Sequence, residues 1–324
     1  MMAMMPQHIH RVGVDLGGSK ILAVVCDAGG RVLAEAKKKT RPERGYPAVI
    51  ERVAGVIREA IASAGINEST LVPIWGVGVP GPVGADGRTV MGATNLGWPV
   101  VAMADDLEAH FPGRRFVLGN DVNVGALGEV RDGCARGEPA VFALFVGTGL
   151  GGALVLDGHV VTGRRGLAGE IGHLPAPFGA RLCTCGQHGC LETVASKVGI
   201  RQALAEARAK GVRCLIPESD KMLRAGALRE AYDKGCRATR QAVKHMSRAL
   251  AWAVVAVTAV AEPSCCVIGG GVGEKFGSEL LVGIRQALAR YPYFGGAAEF
   301  DIRLASLGDH AVAIGATRLA EDAA

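Results

Sequence analysis

Three cysteines and one histidine carry the most specific chemistry in this chain. Cys183, Cys185 and Cys190 fall within the string CTCGQHGCLE, and His173 ends the string GEIGH shortly before it. Three thiolates and one imidazole complete a tetrahedral zinc shell with no open position, so the zinc they predict is structural. Gly186 and Gly189 permit the turns that would wrap the thiolates round one ion. His188 lies inside the same loop and competes with His173 as the fourth ligand; spacing leaves the two open. Glu170 and Glu192 flank the loop. A locked metal site would hold these carboxylates in place for polyol recognition. His173 has two ring nitrogens, so one could bind zinc while the other meets a substrate hydroxyl.

Glycine-rich strings form a second set. DLGGSK spans Asp15 to Lys20 and GTGLGG spans Gly147 to Gly152. The second matches GxGxxG, but the dinucleotide fingerprint needs a helix after the glycines to bind pyrophosphate. An apolar run and the hairpin signal Asp157-Gly158 follow instead, which excludes that reading. The chain has no GxxxxGK[ST] loop either. What remains are two glycine hairpins whose backbone N–H groups can cradle phosphate oxygens, against the alternative of plain tight turns. Asp15 could hold Mg2+ through water, and Lys20 faces either phosphate or solvent. Asp121 follows Asn120 at a strand end and precedes a helical pattern. It is a general base for a substrate hydroxyl or a helix N-cap.

Apolar periodicity supplies the elements that must position these residues. Val12–Asp15, Ile21–Val25 and a run around Val32 and Leu33 read as three antiparallel strands. Trp75–Val79 and Phe116–Leu118 read as further strands, with helices at Ala48–Ala64 and Val100–His110. The pattern of strand, glycine turn, strand, turn, strand recurs at 141–162. Two similar α/β domains are expected, divided as 1–119 with 306–324, and 120–305. The second half reads as helices over Val194–Lys210, Lys221–Tyr232, Arg237–Ala261, Gly277–Ala289 and Ala311–Ala320. Strands are expected at Cys265–Ile268, ending in GGGVG (Gly269–Gly273), and at Phe300–Ala305.

Of 324 residues, 49% are hydrophobic and 21% charged, which excludes a disordered regulator. Glycine, at 47 residues, is about twice as frequent as usual. The net charge of +5 is modest, with basic residues scattered among acidic ones, so no nucleic-acid partner is expected. The start lacks the features of a secretory signal, and the longest apolar run, Ala249–Ala261, is too short to span a bilayer. A cytoplasmic protein with no membrane partner is expected. The other cysteines read as buried apolar residues. His8 and His10 lie in the N-terminal lead-in. His110, His159, His245 and His310 have no partner at ligand spacing.

In their order along the chain these strings resemble the ROK family (repressor, open reading frame, kinase) of sugar kinases. DLGGSK resembles the first phosphate loop, with Ser19 in place of the commoner Thr. GVPGPV at Gly78–Val83 and NLGW at Asn95–Trp98 resemble sugar-side loops, and NDVNVGALGE at Asn120–Glu129 resembles the segment with the catalytic Asp. GTGLGG resembles the second phosphate loop, and GGGVG the adenosine-side loop. GEIGH with CTCGQHGCLE resembles the family's zinc signature. The resemblance implies an actin-like, ribonuclease H-like ATPase fold, ATP and Mg2+ as cofactors beside structural zinc, and commonly a homodimer. It implies Asp121 as the base on a hexose 6-hydroxyl. Asn95, Asn120, Glu170, His173 and Glu192 would bind ring hydroxyls. Asp15, Gly17, Gly18, Ser19, Lys20, Thr148, Gly149, Gly270 and Gly271 would face the nucleotide and its metal. Glucose is the expected acceptor, an N-acetylhexosamine the runner-up, and a non-catalytic sugar sensor or repressor the remote alternative.

Overall fold

The computed structural model describes residues 9–218, 223–295 and 299–324. It divides into two compact units. One comprises the chain up to Gly137 with Gly158–Ala168 and Asp309–Ala324; the other comprises Glu138–Asp157 and Gly169–Gly308.

The first unit is built on β1 (Arg11–Leu16), β2 (Lys20–Cys26), β3 (Val32–Lys39), β4 (Ile74–Val79) and β5 (Arg115–Asn120), in the order β3-β2-β1-β4-β5. β1, β2 and β3 pair antiparallel, and β4 and β5 run parallel to β1. Every residue of β4 (IWGVGV) is buried, as an apolar run in a covered parallel sheet must be. β3 ends in Lys37-Lys38-Lys39, all exposed, the charges that keep an edge strand from pairing further. α1 (Tyr46–Ala64) buries Val49, Val53, Val56, Ile57 and Ala60 along one face, and Gly65 in the left-handed region ends it. α2 (Met103–His110) and α3 (Asp121–Arg131) follow. The last helix, α9 (Ala311–Asp322), packs on β1, β4 and α3. The fit is too close for side chains: a methyl at Gly76 would lie 1.8 Å from the Ala316 carbonyl oxygen.

The second unit repeats the scheme with β6 (Ala140–Val146), β7 (Leu150–Leu156), β8 (His159–Val160), β9 (Cys265–Gly269) and β10 (Ile302–Leu304). The order is β10-β9-β6-β7-β8. Read from β8, it reproduces the strand order of the first sheet, with β6 and β7 antiparallel and β9 and β10 parallel to β6. Two sheets of one topology make this the actin-like, ribonuclease H-like ATPase fold. The helices are α4 (Lys197–Ala209), α5 (Ala225–Asp233), α6 (Arg237–Ala261), α7 (Gly270–Lys275) and α8 (Gly277–Leu288). α6 is the one helix among the described residues long and apolar enough to cross a membrane. Its inward face, with Ala242, Met246, Leu250 and Val254, lies in the core of this unit.

Expected and observed elements differ in places. The units divide at Gly137, not after residue 119, because α3 packs on α9 and stays with the first sheet. α4 begins at Lys197 because the Ser196 hydroxyl caps it by accepting from the Gly199 N–H. The strand expected at Phe300–Ala305 covers only Ile302–Leu304, and GGGVG opens α7 directly. The first two residues of the helix expected at Lys221–Tyr232 lie outside the described residues, as does His8.

Candidate functional site

Two short 3-10 turns, Ile171–His173 and Leu191–Thr193, bracket the cysteine loop. An isolated bridge ties Pro175 to Cys190, and a second ties Leu182 to His188. Between them the Cys183 N–H donates to the Gln187 carbonyl at 2.8 Å, a reversal that Gly186, at φ 88°, makes possible. The result gathers His173, Cys183, Cys185 and Cys190 with one donor atom each, all within 4.8 Å of one another. His173 Nδ1 is 3.7 Å from Cys183 Sγ, and Cys185 Sγ is 3.6 Å from Cys190 Sγ. A tetrahedral zinc with Zn–S of about 2.3 Å sets its sulfurs roughly 3.8 Å apart, so the donor set fits that ion. His188 stands outside the cluster, exposed, with Nδ1 2.9 Å from the Ala180 carbonyl oxygen. Of the two histidines, His173 is the one gathered with the three thiols.

Glu192 joins this cluster to the second glycine turn. Its Oε1 is 3.7 Å from Cys183 Sγ, and its Oε2 accepts from the Leu150 N–H at 2.9 Å. A methyl at Gly149 would lie 2.1 Å from that same oxygen, so the carboxylate occupies the space a side chain would need. The turn itself closes where the Gly147 N–H donates to the Gly149 carbonyl. The N–H groups of Lys197 and Val198 hold the carbonyls of Gly147 and Thr148. Gly270, at φ 80°, lies flat on the backbone of Val146 at the end of β6, whereas Gly271 is exposed with open space at its Cβ position. Glu170 keeps an exposed surface. Crowding by protein and the Glu192 carboxylate hold its pKa above the ordinary value, against the pull of His173.

In the first unit the DLGGSK turn closes by the Gly17 N–H donating to the Lys20 carbonyl at 2.8 Å. Thr40 braces it: its hydroxyl donates to the Gly17 carbonyl at 2.6 Å and its N–H to the Ser19 carbonyl. Gly18 and Ser19 remain exposed, and the backbone of Asn95 passes beside Gly18. Asp15, at the end of β1, is 7% exposed. Burial raises its pKa to about 6, although Lys20 Nζ stands 3.8 Å away and pulls it down. Lys20 and Lys37 both pair with Asp309, at 2.9 and 3.0 Å, and their hydrogen bonds lower the Asp309 pKa to about 2. Sequence reading missed Asp309; no local spacing links it to Lys20.

Asn120, not Asp121, caps α3. Its Oδ1 accepts from the N–H groups of Val122 and Asn123 at 3.0 and 3.2 Å, and its Nδ2 donates to the Gly81 carbonyl. Asn120 thus spends much of its amide on backbone. Asp121 sits half-buried in the first helical turn, where its Oδ1 accepts from the Val122 N–H at 2.9 Å. Each unit assembles its own set: Asp15, the first glycine turn, Asn95, Asn120 and Asp121 in one; the second glycine turn, Gly270, Gly271, Glu170, Glu192 and the Cys3His cluster in the other.

The model of the ROK family matches residues 11–323. A glucokinase of Halalkalibacterium halodurans is 33% identical over 94% of this chain and 92% of its own length. An N-acetyl-D-glucosamine kinase of Shigella flexneri is 32% identical over 81% of this chain and 84% of its own. The crystal structure of a ROK family glucokinase from Streptomyces griseus, in complex with glucose and AMPPNP, superposes with a TM-score of 0.78 at 30% identity, covering 97% of this chain and 99% of that one.

Proposed function

Because the chain belongs to the ROK family, we propose that it moves the γ-phosphoryl group of ATP to the 6-hydroxyl of a hexose, with glucose as the preferred acceptor. The chain is an ATP-dependent sugar kinase. The observation that carries the finer reading is Glu192, one carboxylate that reaches both the cysteine loop and the second glycine turn. In this reading Glu192 ties the sugar-side loop to the phosphate-side turn of the second unit.

In this reading Asp121 accepts the 6-hydroxyl proton as that oxygen bonds to the γ-phosphorus. The bond from phosphorus to the bridging oxygen breaks, and ADP leaves. The support for Asp121 is that Asn120 already supplies the helix cap, so capping does not account for the carboxylate. Asn95, Asn120, Glu170, Glu192 and His173 through Nε2 would bind ring hydroxyls. Exposed backbone at Gly18, Ser19 and Gly271 would receive the nucleotide, and Asp15 would face its Mg2+. His173, Cys183, Cys185 and Cys190 would hold zinc, which when bound serves as a fixed template for the loop.

The test is ADP release from Mg-ATP with glucose, N-acetylglucosamine, N-acetylmannosamine, mannose and fructose in parallel, for the natural chain and Asp121→Asn. A dominant glucose signal that falls by 10²–10⁴ in the variant is expected. A dominant N-acetylglucosamine signal would transfer the reading to the activity of the Shigella relative. Full turnover in Asp121→Asn would overturn the base.

A further inference from the structure

The segment Arg237–Arg248, RATRQAVKHMSR, contains four arginines or lysines, one histidine and no acidic residue. Arg237, Arg240, Lys244 and Arg248 recur at i, i+3, i+7 and i+11, so they share one face of α6 over about 16 Å. A cavity of about 570 Å3 lies against this face, lined by those four residues with Gly235, Gln241 and His245. A smaller cavity of about 240 Å3 shares His245 and Arg248 with it and adds Arg181 and Arg290. The basic residues are not as evenly scattered as composition suggested.

Of these cations Arg181 pairs with Glu206, and the others, Arg237, Arg240, Lys244, Arg248 and Arg290, have no carboxylate partner among the described residues. Every carboxylate on the neighbouring helices is committed elsewhere. Glu206 of α4 pairs with Arg181, Glu230 of α5 with Lys234, and Asp233 of α5 and Glu279 of α8 with Arg229. Arg240 is held by the Tyr232 carbonyl at 3.1 Å and stacks over the Tyr232 ring, which fixes its direction without cancelling its charge. The arrangement costs stability twice. Like charges at i, i+4 repel, and cations in the first turn of α6 oppose the positive end of the helix dipole. Burial and the cations of Arg248, Arg181 and Lys244 hold the His245 pKa below its ordinary value, as a positive local field requires.

We propose that this groove binds a small anion carrying two or more phosphate groups, at a site built from none of the sugar or nucleotide residues named above. Guanidinium groups meet phosphate oxygens in paired hydrogen bonds, and a cavity of this volume suits a small molecule. A row of separate cations suits charge spread along a ligand better than a single phosphate. The smaller cavity is also lined by Phe178 and Val194, on either side of the cysteine loop, and the Arg181 carbonyl accepts the Gly189 N–H of that loop. Occupancy would therefore be felt next to the Cys3His cluster.

The test uses the whole protein with glucose and AMPPNP at saturation, so that the sugar and nucleotide sites are blocked. Tripolyphosphate, a hexose bisphosphate and sulfate are titrated separately by calorimetry. One further equivalent of tripolyphosphate or of the bisphosphate is expected, with the tighter of the two identifying the source of the phosphates. Affinity should fall at least tenfold in Lys244→Gln/Arg248→Gln and should fall with added salt. Sugar phosphorylation without the anion should be unchanged in that variant. Arg240→Gln serves as a second variant should the double one fail to fold. No uptake beyond the blocked sites, equal affinity in both variants, or sulfate binding as tightly as tripolyphosphate would each overturn the proposal. The binding readout does not depend on which sugar the enzyme phosphorylates.

Discussion

Replacing Asp15 by asparagine should make the protein more stable at neutral pH while impairing its use of Mg-ATP. Asp15 is almost wholly buried, and burial raises its pKa from 3.8 to about 6. The folded protein therefore holds this proton more tightly than the unfolded chain does. The stabilising contribution is complete below pH 3.8 and is lost as pH rises through about 6. At about 1.4 kcal/mol per pH unit, the gap corresponds to about 3 kcal/mol of cost at pH 7.5. Asparagine carries no charge to desolvate and is nearly the same size. Lys20 keeps Asp309 as its closer partner. The assay is urea unfolding of the nucleotide-free protein at pH 4, 6 and 7.5. A Trp252→Phe background leaves Trp75 and Trp98, both in the first unit, as the fluorophores. The advantage of Asp15→Asn should be near zero at pH 4 and should grow to about 3 kcal/mol by pH 7.5. A variant less stable than its parent at pH 7.5, or an advantage independent of pH, would refute the reasoning. The buried charge is the sort of cost a protein retains where a cation must bind.

Metal analysis of protein purified without chelator should give about one zinc per chain, and stripping it should lower the unfolding temperature; metal-free protein of undiminished stability would contradict this. Glu192→Ala removes the acceptor of the Leu150 N–H, so the KM for ATP should rise about tenfold together with that for the sugar. Glu192→Gln, which can still accept from Leu150, should recover the ATP KM; an unchanged ATP KM in the alanine variant would count against the link. Gly76→Ala forces a methyl onto the Ala316 backbone and should cost at least about 3 kcal/mol, since no side chain can yield there. An unfolding temperature within about 2 °C of the parent would show that α9 shifts more easily than its packing implies.

Local patterns made the paired hairpins and α6 readable, because alternation and helical spacing survive without knowledge of neighbours. The extent of β3 did not follow, since Lys37, Lys38 and Lys39 carry no apolar alternation on an exposed edge. The place of α3 depended on its fit against α9, nearly 200 residues away: a methyl at Gly128 would lie 2.5 Å from the Ala311 carbonyl oxygen. At the site, cysteine spacing picked out the three thiols, but which histidine gathers with them depended on the 3-10 turn at Ile171–His173. The cap on α3 was legible in principle, because asparagine caps as well as aspartate does and Asn120 comes first. Asp309 was not legible, being a long-range partner of Lys20. The basic face of α6 was present in the spacing of Arg237, Arg240, Lys244 and Arg248, but whole-chain charge averaged it away.

The position of α9 also sets an order of events during synthesis. The first sheet is complete once β5 has emerged, yet the helix that covers β1 and β4 begins at Ala311. About 170 residues separate Gly137 from that helix, and a ribosome adding 5–20 residues per second needs roughly 10–35 s to cover them. Throughout that interval the glycine-lined strip of Gly13 and Gly76 faces outward without its cover. The nascent first unit is thus an open sheet waiting for its last helix, and β10, which completes the second sheet, emerges only just ahead of that helix, so both units close at the end of synthesis. A chaperone that shields that strip would act on the chain only while it is being made.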